Sequence, residues 1–231
     1  MEDLIKILAM LQIEDLHFSY GPKKILRGLS LEIQTGEIVA LIGGSGSGKT
    51  TLFRLITGLL IPQLGKISGT PFVTYMQQDD LLLPWRNTID NLLLVNEIGK
   101  EKGNLKEDPH YFLEKVGLVG CEKLYPHELS GGMRSRLSLA RALLQGRPLL
   151  LLDEPFGSLD VVLREGLYNL VSECCRKEGK GVLLVTHDFR DAIALADRIL
   201  VLSGGKIALE LRVKEHPPEE LKQMIRTSLI S

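Results

Sequence analysis

Gly43-Gly44-Ser45-Gly46-Ser47-Gly48-Lys49-Thr50 fits the pattern G-x-x-x-x-G-K-[ST] without a mismatch. Glu37-Ile38-Val39-Ala40-Leu41-Ile42 precedes it as a buried strand, and Thr51-Leu52-Phe53-Arg54-Leu55-Ile56 follows it as a helix. A strand, a glycine-rich loop and a helix in that order turn the match into a phosphate loop. Glycines let the backbone curl so that successive N–H groups converge on one anion at the positive end of the helix dipole. Lys49 is placed to bridge β- and γ-phosphates, and the Thr50 hydroxyl to ligate Mg²⁺. The alternative, a Gly/Ser turn that happens to hold Lys-Thr, does not account for four glycines in this register.

Working outward, Leu149-Leu150-Leu151-Leu152 ends in Asp153-Glu154-Pro155. A continuous apolar run ending in acids reads as a central parallel strand whose C-terminal end faces a ligand crevice. Asp153 is expected to hold Mg²⁺ through water, and Glu154 to orient or deprotonate an attacking water. Gly181-Val182-Leu183-Leu184-Val185-Thr186 is a second such strand, and it delivers His187-Asp188 to the same edge. Gly157-Ser158-Leu159-Asp160 reads as a turn, Val161 to Lys177 as a helix, and Phe189 to Ala196 as another. Arg198 to Ser203 and Lys206 to Leu211 form a strand pair around Gly204-Gly205, and His216-Pro217-Pro218 opens a short helix.

Ahead of the phosphate loop, Leu11 to Tyr20 and Ile25 to Ile33 alternate in part, which predicts a small antiparallel sheet beside the parallel core. Tyr20 is either a purine-stacking ring or an ordinary strand-end aromatic. Gly65 to Gly69 and Phe72 to Met76 read as short strands, followed by Gln77-Gln78-Asp79-Asp80. The apolar run Leu81 to Pro84 ends at the sole tryptophan, Trp85. Its position suits either a docking floor or plain core packing. From Thr88, a possible cap, the pattern turns helical, with Ile89, Leu92, Leu93 and Asn96 near a 3.6 period. Gly103-Asn104 reads as an exposed loop, and Asp108-Pro109 starts a helix through Val116. Between Asp79 and Arg147 no strong strand occurs, so this stretch is expected to be an inserted helical subdomain.

The chain has 231 residues, enough for one α/β domain with an insertion. Lys+Arg 28 against Asp+Glu 29 leaves a charge of -1, which gives no global pull toward nucleic acid or anionic lipid. No apolar run approaches the roughly 20 residues of a membrane-spanning helix. The start, Met1 to Lys6, is acidic and Lys6 breaks its apolar stretch, against a secretory signal. Cys121, Cys174 and Cys175 lack metal-ligand spacing and read as packing residues in a reducing compartment.

Leu129-Ser130-Gly131-Gly132-Met133-Arg134 then opens a helix through Leu144. With the phosphate loop before it and Leu149 to Glu154 after it, the chain resembles the ATPase subunit of the ABC transporter family from about Leu11 to Ser203. Leu-Ser-Gly-Gly is similar to that family's signature motif. The resemblance implies an α/β fold: a P-loop NTPase (RecA-like) core, a small antiparallel β subdomain and an inserted α-helical subdomain. Residues 1–78 and 148–231 would form the first two, and 79–147 the helical part carrying the signature. It further implies that Tyr20 stacks on adenine, and that Gly43, Gly44, Ser45, Gly46, Ser47, Gly48, Lys49, Thr50 and Thr51 hold ATP. Ser130, Gly131, Gly132 and Asp160 would contact the same nucleotide. Glu154, His187, Lys49 and Gln78 would be catalytic, and Thr50, Gln78 and Asp153 would hold Mg²⁺.

Ser130 and the two glycines at a helix start make a second anion site, which one chain cannot easily bring to its own phosphate loop. A head-to-tail homodimer with ATP sandwiched between copies follows. Met133-Arg134 and Leu82-Leu83-Pro84-Trp85 resemble the nitrate, sulfonate/taurine and pyrimidine-precursor importers, with Ser135 a departure where these usually carry Gln. The resemblance implies a cytoplasmic subunit on the inner face of the membrane, partnered by integral membrane permease subunits and indirectly by a solute-binding protein, with no nucleic acid. Met10 is an alternative initiator to Met1, and the short C-terminus leaves no room for a regulatory domain. The rival reading is a soluble ABC-type ATPase of cluster assembly, translation or repair, or a lipoprotein-release or cell-division type. The first group commonly carries two cassettes or long insertions, and the second does not share Met133 or Leu-Pro-Trp.

Overall fold

In the computed structural model, residues 9–97, 108–157, 159 and 161–230 are described. The expected loop at Gly103-Asn104, the start at Met1, and Ser158 and Asp160 lie outside them. Strand β1 (Leu11–Tyr20) pairs antiparallel with β2 (Lys23–Ile33) on one side and β4 (Leu64–Gly69) on the other. A bulge interrupts β1 at Asp15, whose φ is 47° and whose N–H donates to Ser30 Oγ at 2.9 Å. Gly28 faces that bulge, where a Cβ would sit 2.8 Å from Asp15 Oδ1.

The second sheet runs β5 (Val73–Met76), β6 (Leu149–Asp153), β7 (Gly181–Val185), β3 (Ile38–Gly43), β8 (Arg198–Ser203), β9 (Lys206–Arg212). The first five strands are parallel, and β9 returns antiparallel to β8. Continuous apolar runs form these strands because both faces are covered, and successive residues enter opposite cores. Ile38, Ala40, Leu150 and Leu152 pack into one core; Val39, Leu41, Leu149 and Leu151 pack into the other. All four leucines of β6 are fully buried, each contributing about 1.5–3 kcal/mol relative to exposure. The second core joins helix α1 (Lys49–Ile56) and the antiparallel sheet to the parallel one. At the β8–β9 turn, Gly205 O accepts from Arg27 N at 2.9 Å, fastening β9 to β2.

Among the described residues, every element between β5 and β6 is helical, as expected: α2 (Thr88–Glu97), α3 (Pro109–Lys115), α4 (Gly131–Leu144) and one short turn at Pro126–Glu128. These helices pack into the first core together with α5 (Val161–Glu178), α6 (Phe189–Leu195) and α7 (Pro218–Ile230). The inserted helices therefore lean on the sheet rather than closing a separate core. Asp108 caps α3 as read from the sequence, its carboxylate accepting from His110 N at 2.9 Å.

The cap of α2 differs from expectation. Asn87 Oδ1 accepts from Asp90 N at 2.8 Å, so Asn87 is the cap. Thr88 is fully buried, with its N–H and hydroxyl both donating to Leu124 O. Its hydroxyl is spent on a distant carbonyl, which leaves the neighbouring amide to cap. Cys174 and Cys175 are buried core residues, in keeping with a packing role, and no helix among the described residues is long and apolar enough to cross a membrane.

Candidate nucleotide-binding site

The parallel sheet places the C-terminal ends of β3, β6 and β7 side by side on one edge. The loop after β3 holds Gly46 and Gly48 at φ 74° and 111°, the left-handed region that a side chain rarely enters. Gly48 also meets β2 closely, since a Cβ there would lie 2.9 Å from Ile25 Cγ2. At Gly43 a Cβ would be 2.6 Å from Ser47 Oγ and 2.8 Å from Leu202 O. Ser47 Oγ is itself buried with no hydrogen-bond partner. Lys49 Nζ curls back over the loop, donating to Gly43 O at 2.7 Å and Gly44 O at 3.0 Å. Burial lowers its pKa, against the pull of Glu154 and Asp153.

Asp153 closes β6 and is 5% exposed. Burial first, and the neighbouring Glu154 charge second, push its pKa up to about 6, with Lys49 and the Tyr75 hydroxyl opposing. Tyr75, from β5, points its hydroxyl at Asp153 Oδ2 from 3.5 Å, a long contact, and its ring packs edge-on against Phe53 of α1. Burial and the Asp153 charge raise the Tyr75 pKa to about 12. Glu154 takes φ 53°, while its N–H extends the β6–β7 ladder to Val185 O at 2.9 Å. A non-glycine residue held at positive φ costs about 1–3 kcal/mol, and such strain clusters at working sites. The turn swings the Glu154 carboxylate onto the loop after β7, where Oε2 sits 2.7 Å from His187 Nδ1. Glu154 is mostly buried and His187 is 74% exposed.

The remaining expected residues lie around this edge or away from it. Gln78 is exposed just past β5, the neighbour of β6, so it lies on the Asp153 side. Tyr20 is 45% exposed at the end of β1, edge-to-face with Phe18 at 5.0 Å. Its hairpin is the one whose Ile25 packs on Gly48. Thr50 is exposed and Thr51 half-buried in the first turn of α1. Ser130 caps α4, accepting from Met133 N at 3.2 Å, with Gly131 exposed and Gly132 half-buried beside it. That helix packs chiefly on α2, α3 and β5, with no extended contact to α1. The helix start expected to be a second anion site therefore belongs to the helical part of the chain.

Sequence reading missed the clamp that joins these parts. Arg134 Nε donates to Asp80 Oδ2 at 2.9 Å and its Nη1 to Leu129 O at 2.8 Å. Arg141 reaches Asp80 O and Leu81 O, so the segment after Gln78 is pinned along α4. Trp85, by contrast, is 71% exposed, which removes core packing as its explanation.

The ABC transporter family model matches residues 26–157, more than half of the chain. The aliphatic sulfonates import ATP-binding protein of Mesorhizobium japonicum is 41% identical over 213 residues, 91% of this chain and 84% of that one. The formylaminopyrimidine import ATP-binding protein of Halalkalibacterium halodurans is 40% identical over 235 residues, 96% and 94% of the two chains. A dimeric bacterial ABC transporter cassette superposes with a TM-score of 0.79 at 26% identity, covering 88% of this chain and 99% of that one. A glycine loop that needs its glycines, acids at a strand end and a capped Leu-Ser-Gly-Gly helix all fall within the stretch that the family model matches, and the chain belongs to the ABC transporter family as one of its ATP-hydrolysing subunits.

Proposed function

We propose that this chain powers a binding-protein-dependent importer of a small solute of the sulfonate/taurine, nitrate or pyrimidine-precursor class. It would sit on the cytoplasmic face of the membrane beneath permease subunits. The solute class rests on what the relatives are named for, aliphatic sulfonates and formylaminopyrimidine. The exposed Trp85, in the segment that follows Gln78, favours a membrane partner over a free soluble ATPase.

The observation that carries the chemistry is the Glu154–His187 contact at the strand edge next to Lys49. The Ser47 hydroxyl without a partner and the loop amides give phosphate oxygens their donors. Lys49 exchanges the carbonyls of Gly43 and Gly44 for the β- and γ-phosphates of ATP. A hydroxyl, an amide and a carboxylate at Thr50, Gln78 and Asp153 are hard oxygen donors of the kind Mg²⁺ takes. Bound there, the ion supplies charge neutralisation at the phosphate oxygens. Glu154 accepts the proton of the attacking water, and His187 holds that carboxylate through Nδ1–H. Tyr20 stacks on the adenine. Ser130, Gly131 and Gly132 of the partner subunit close on the γ-phosphate in a head-to-tail dimer, and Asp160 keeps its expected role as a nucleotide contact. The partition into residues 1–78 with 148–231 and 79–147 lets that closure displace the helical part and push on the permease.

Glu154→Gln tests the assignment, since it keeps shape but cannot accept the proton. Turnover should fall by about 10²–10⁴-fold with ATP binding retained. With its exit step blocked, the variant should elute as a dimer in ATP while wild type stays mostly monomeric. Near wild-type turnover removes Glu154 from the mechanism.

A further inference from the structure

Arg164 stands near the start of α5, and its side chain is 12% exposed. The guanidinium donates from Nε to Leu159 O at 3.1 Å, and from Nη1 to Asp188 Oδ2 at 2.8 Å and Asp191 Oδ1 at 3.2 Å. Leu159 lies in the turn that leaves Glu154, while Asp188 follows His187 directly. One planar cation thus grips both segments from which the paired catalytic groups project.

The far side of this grip is equally built. Asp191 is buried, and Thr186 Oγ1 donates to its Oδ2 at 2.8 Å, while the Tyr168 hydroxyl donates to Oδ1 at 2.5 Å. Thr186 Oγ1 in turn accepts from Asp188 N at 3.0 Å. His187 is therefore flanked by two residues that are both fixed to the Arg164 network. Arg190, at the surface, also donates to Asp188, and the hydrogen bonds that Asp188 accepts from the Arg190 side chain, from the Arg190 N–H and from Arg164 hold its carboxyl far below the usual carboxylate range. A buried, fork-shaped donor with three acceptors fixes orientation, and an orientation error of about 1 Å can cost up to roughly a hundredfold in rate.

We propose that Arg164 is a positioning residue for hydrolysis, setting the Glu154 turn against the His187 loop. This rests on the reading of Glu154 and His187 given above. Arg164→Gln should lower kcat by about tenfold to a hundredfold while KM for ATP stays within about twofold. Arg164→Lys keeps a cation for the two carboxylates but loses the fork to Leu159 O, so its kcat should fall between the two.

The decisive comparison is a cycle with His187→Ala, read as ATP turnover by the full chain. In that background Arg164→Gln should cost less than about a further twofold, because its effect passes through a group already removed. An equal loss in both backgrounds, or a loss carried by KM, marks a merely structural residue and overturns the proposal. Unchanged turnover in Arg164→Gln, with His187→Ala impaired, overturns it alone. Wild-type turnover in His187→Ala overturns both the proposal and the reading beneath it. Should Arg164→Gln not fold, Asp188→Asn, which can still cap α6, is measured in the same cycle with the same two outcomes.

Discussion

Asp153 and Glu154 are adjacent acids in unlike settings, one sealed at the end of a buried strand and the other strained outward over His187. The pKa of Asp153 rises from 3.8 to about 6 in the fold, so the folded chain holds more protons than the unfolded chain between those values. Stability contributed at this position is therefore lost as pH rises through that window, and at pH 7.5 the ionised carboxylate is a cost. In protein free of nucleotide and magnesium, Asp153→Asn should raise the melting temperature at pH 7.5, by about 2–4 °C for each kcal/mol relieved. The gain should vanish at about pH 2–3, below both values, where Asp153 is neutral in both states. Scanning calorimetry at the two pH values checks this, and equal shifts at both would show that the carboxylate's charge is not the cause. On the proposed role of Asp153 as a Mg²⁺ ligand, adding Mg·ATP should reverse the order. At this scale the sequence revealed the acids and the histidine, since each ends a continuous apolar run. Tyr75 and Arg164 were illegible, because their carboxylate partners lie 78 and 24–27 positions away with no local pattern marking the pair.

Between β5 and α2, the segment Leu81 to Trp85 is rigid behind and apolar in front. Arg141 holds the carbonyls of Leu81 and of Asp80 just before it, and Leu82 is buried. Asn91 closes the rest, its amide donating to Leu83 O, Arg86 O and Asn87 O while Oδ1 accepts from Leu83 N. Leu81 is 53% exposed with φ 46°, and Trp85 stands free beyond it. A fixed backbone that shows water a tryptophan is what a docking surface requires, since little order is lost on binding. Trp85→Ala should loosen co-purification with the permease while ATP affinity stays within about twofold and stability within about 0.5 kcal/mol. A permease retained as firmly as by wild type would end the docking assignment. Neither Trp85's exposure nor Asn91's burial could be read in the sequence. An apolar run tells that a residue is apolar, and only the loop's path decides which members turn inward.

The whole molecule places the two helix starts proposed to bind phosphate on separate parts, α1 beneath the phosphate loop and α4 in the inserted helices. Parallel strands, the antiparallel sheet and the helical insertion were all readable from apolar periodicity. The order β5-β6-β7-β3-β8-β9 was not, because four buried apolar strands are interchangeable until crossovers and packing choose their neighbours. The separation of α1 from α4 has a consequence that a mixture of two dead chains exposes. Ser130→Arg puts a bulky cation where a γ-phosphate would dock, yet leaves Lys49 and Tyr20 intact, so the monomer should bind ATP and fail to hydrolyse it. Lys49→Ala spoils the phosphate loop but keeps the α4 start sound. If sites form head-to-tail between copies, a mixed dimer contains one site with both halves intact and one with both halves broken. Equal mixing makes about half the dimers mixed, each with one working site of two, so activity should return to at most about a quarter of wild type. Each variant alone should stay silent. A silent mixture, with mixed dimers confirmed by differential tagging, would mean that the two helix starts do not complete one site across the pair.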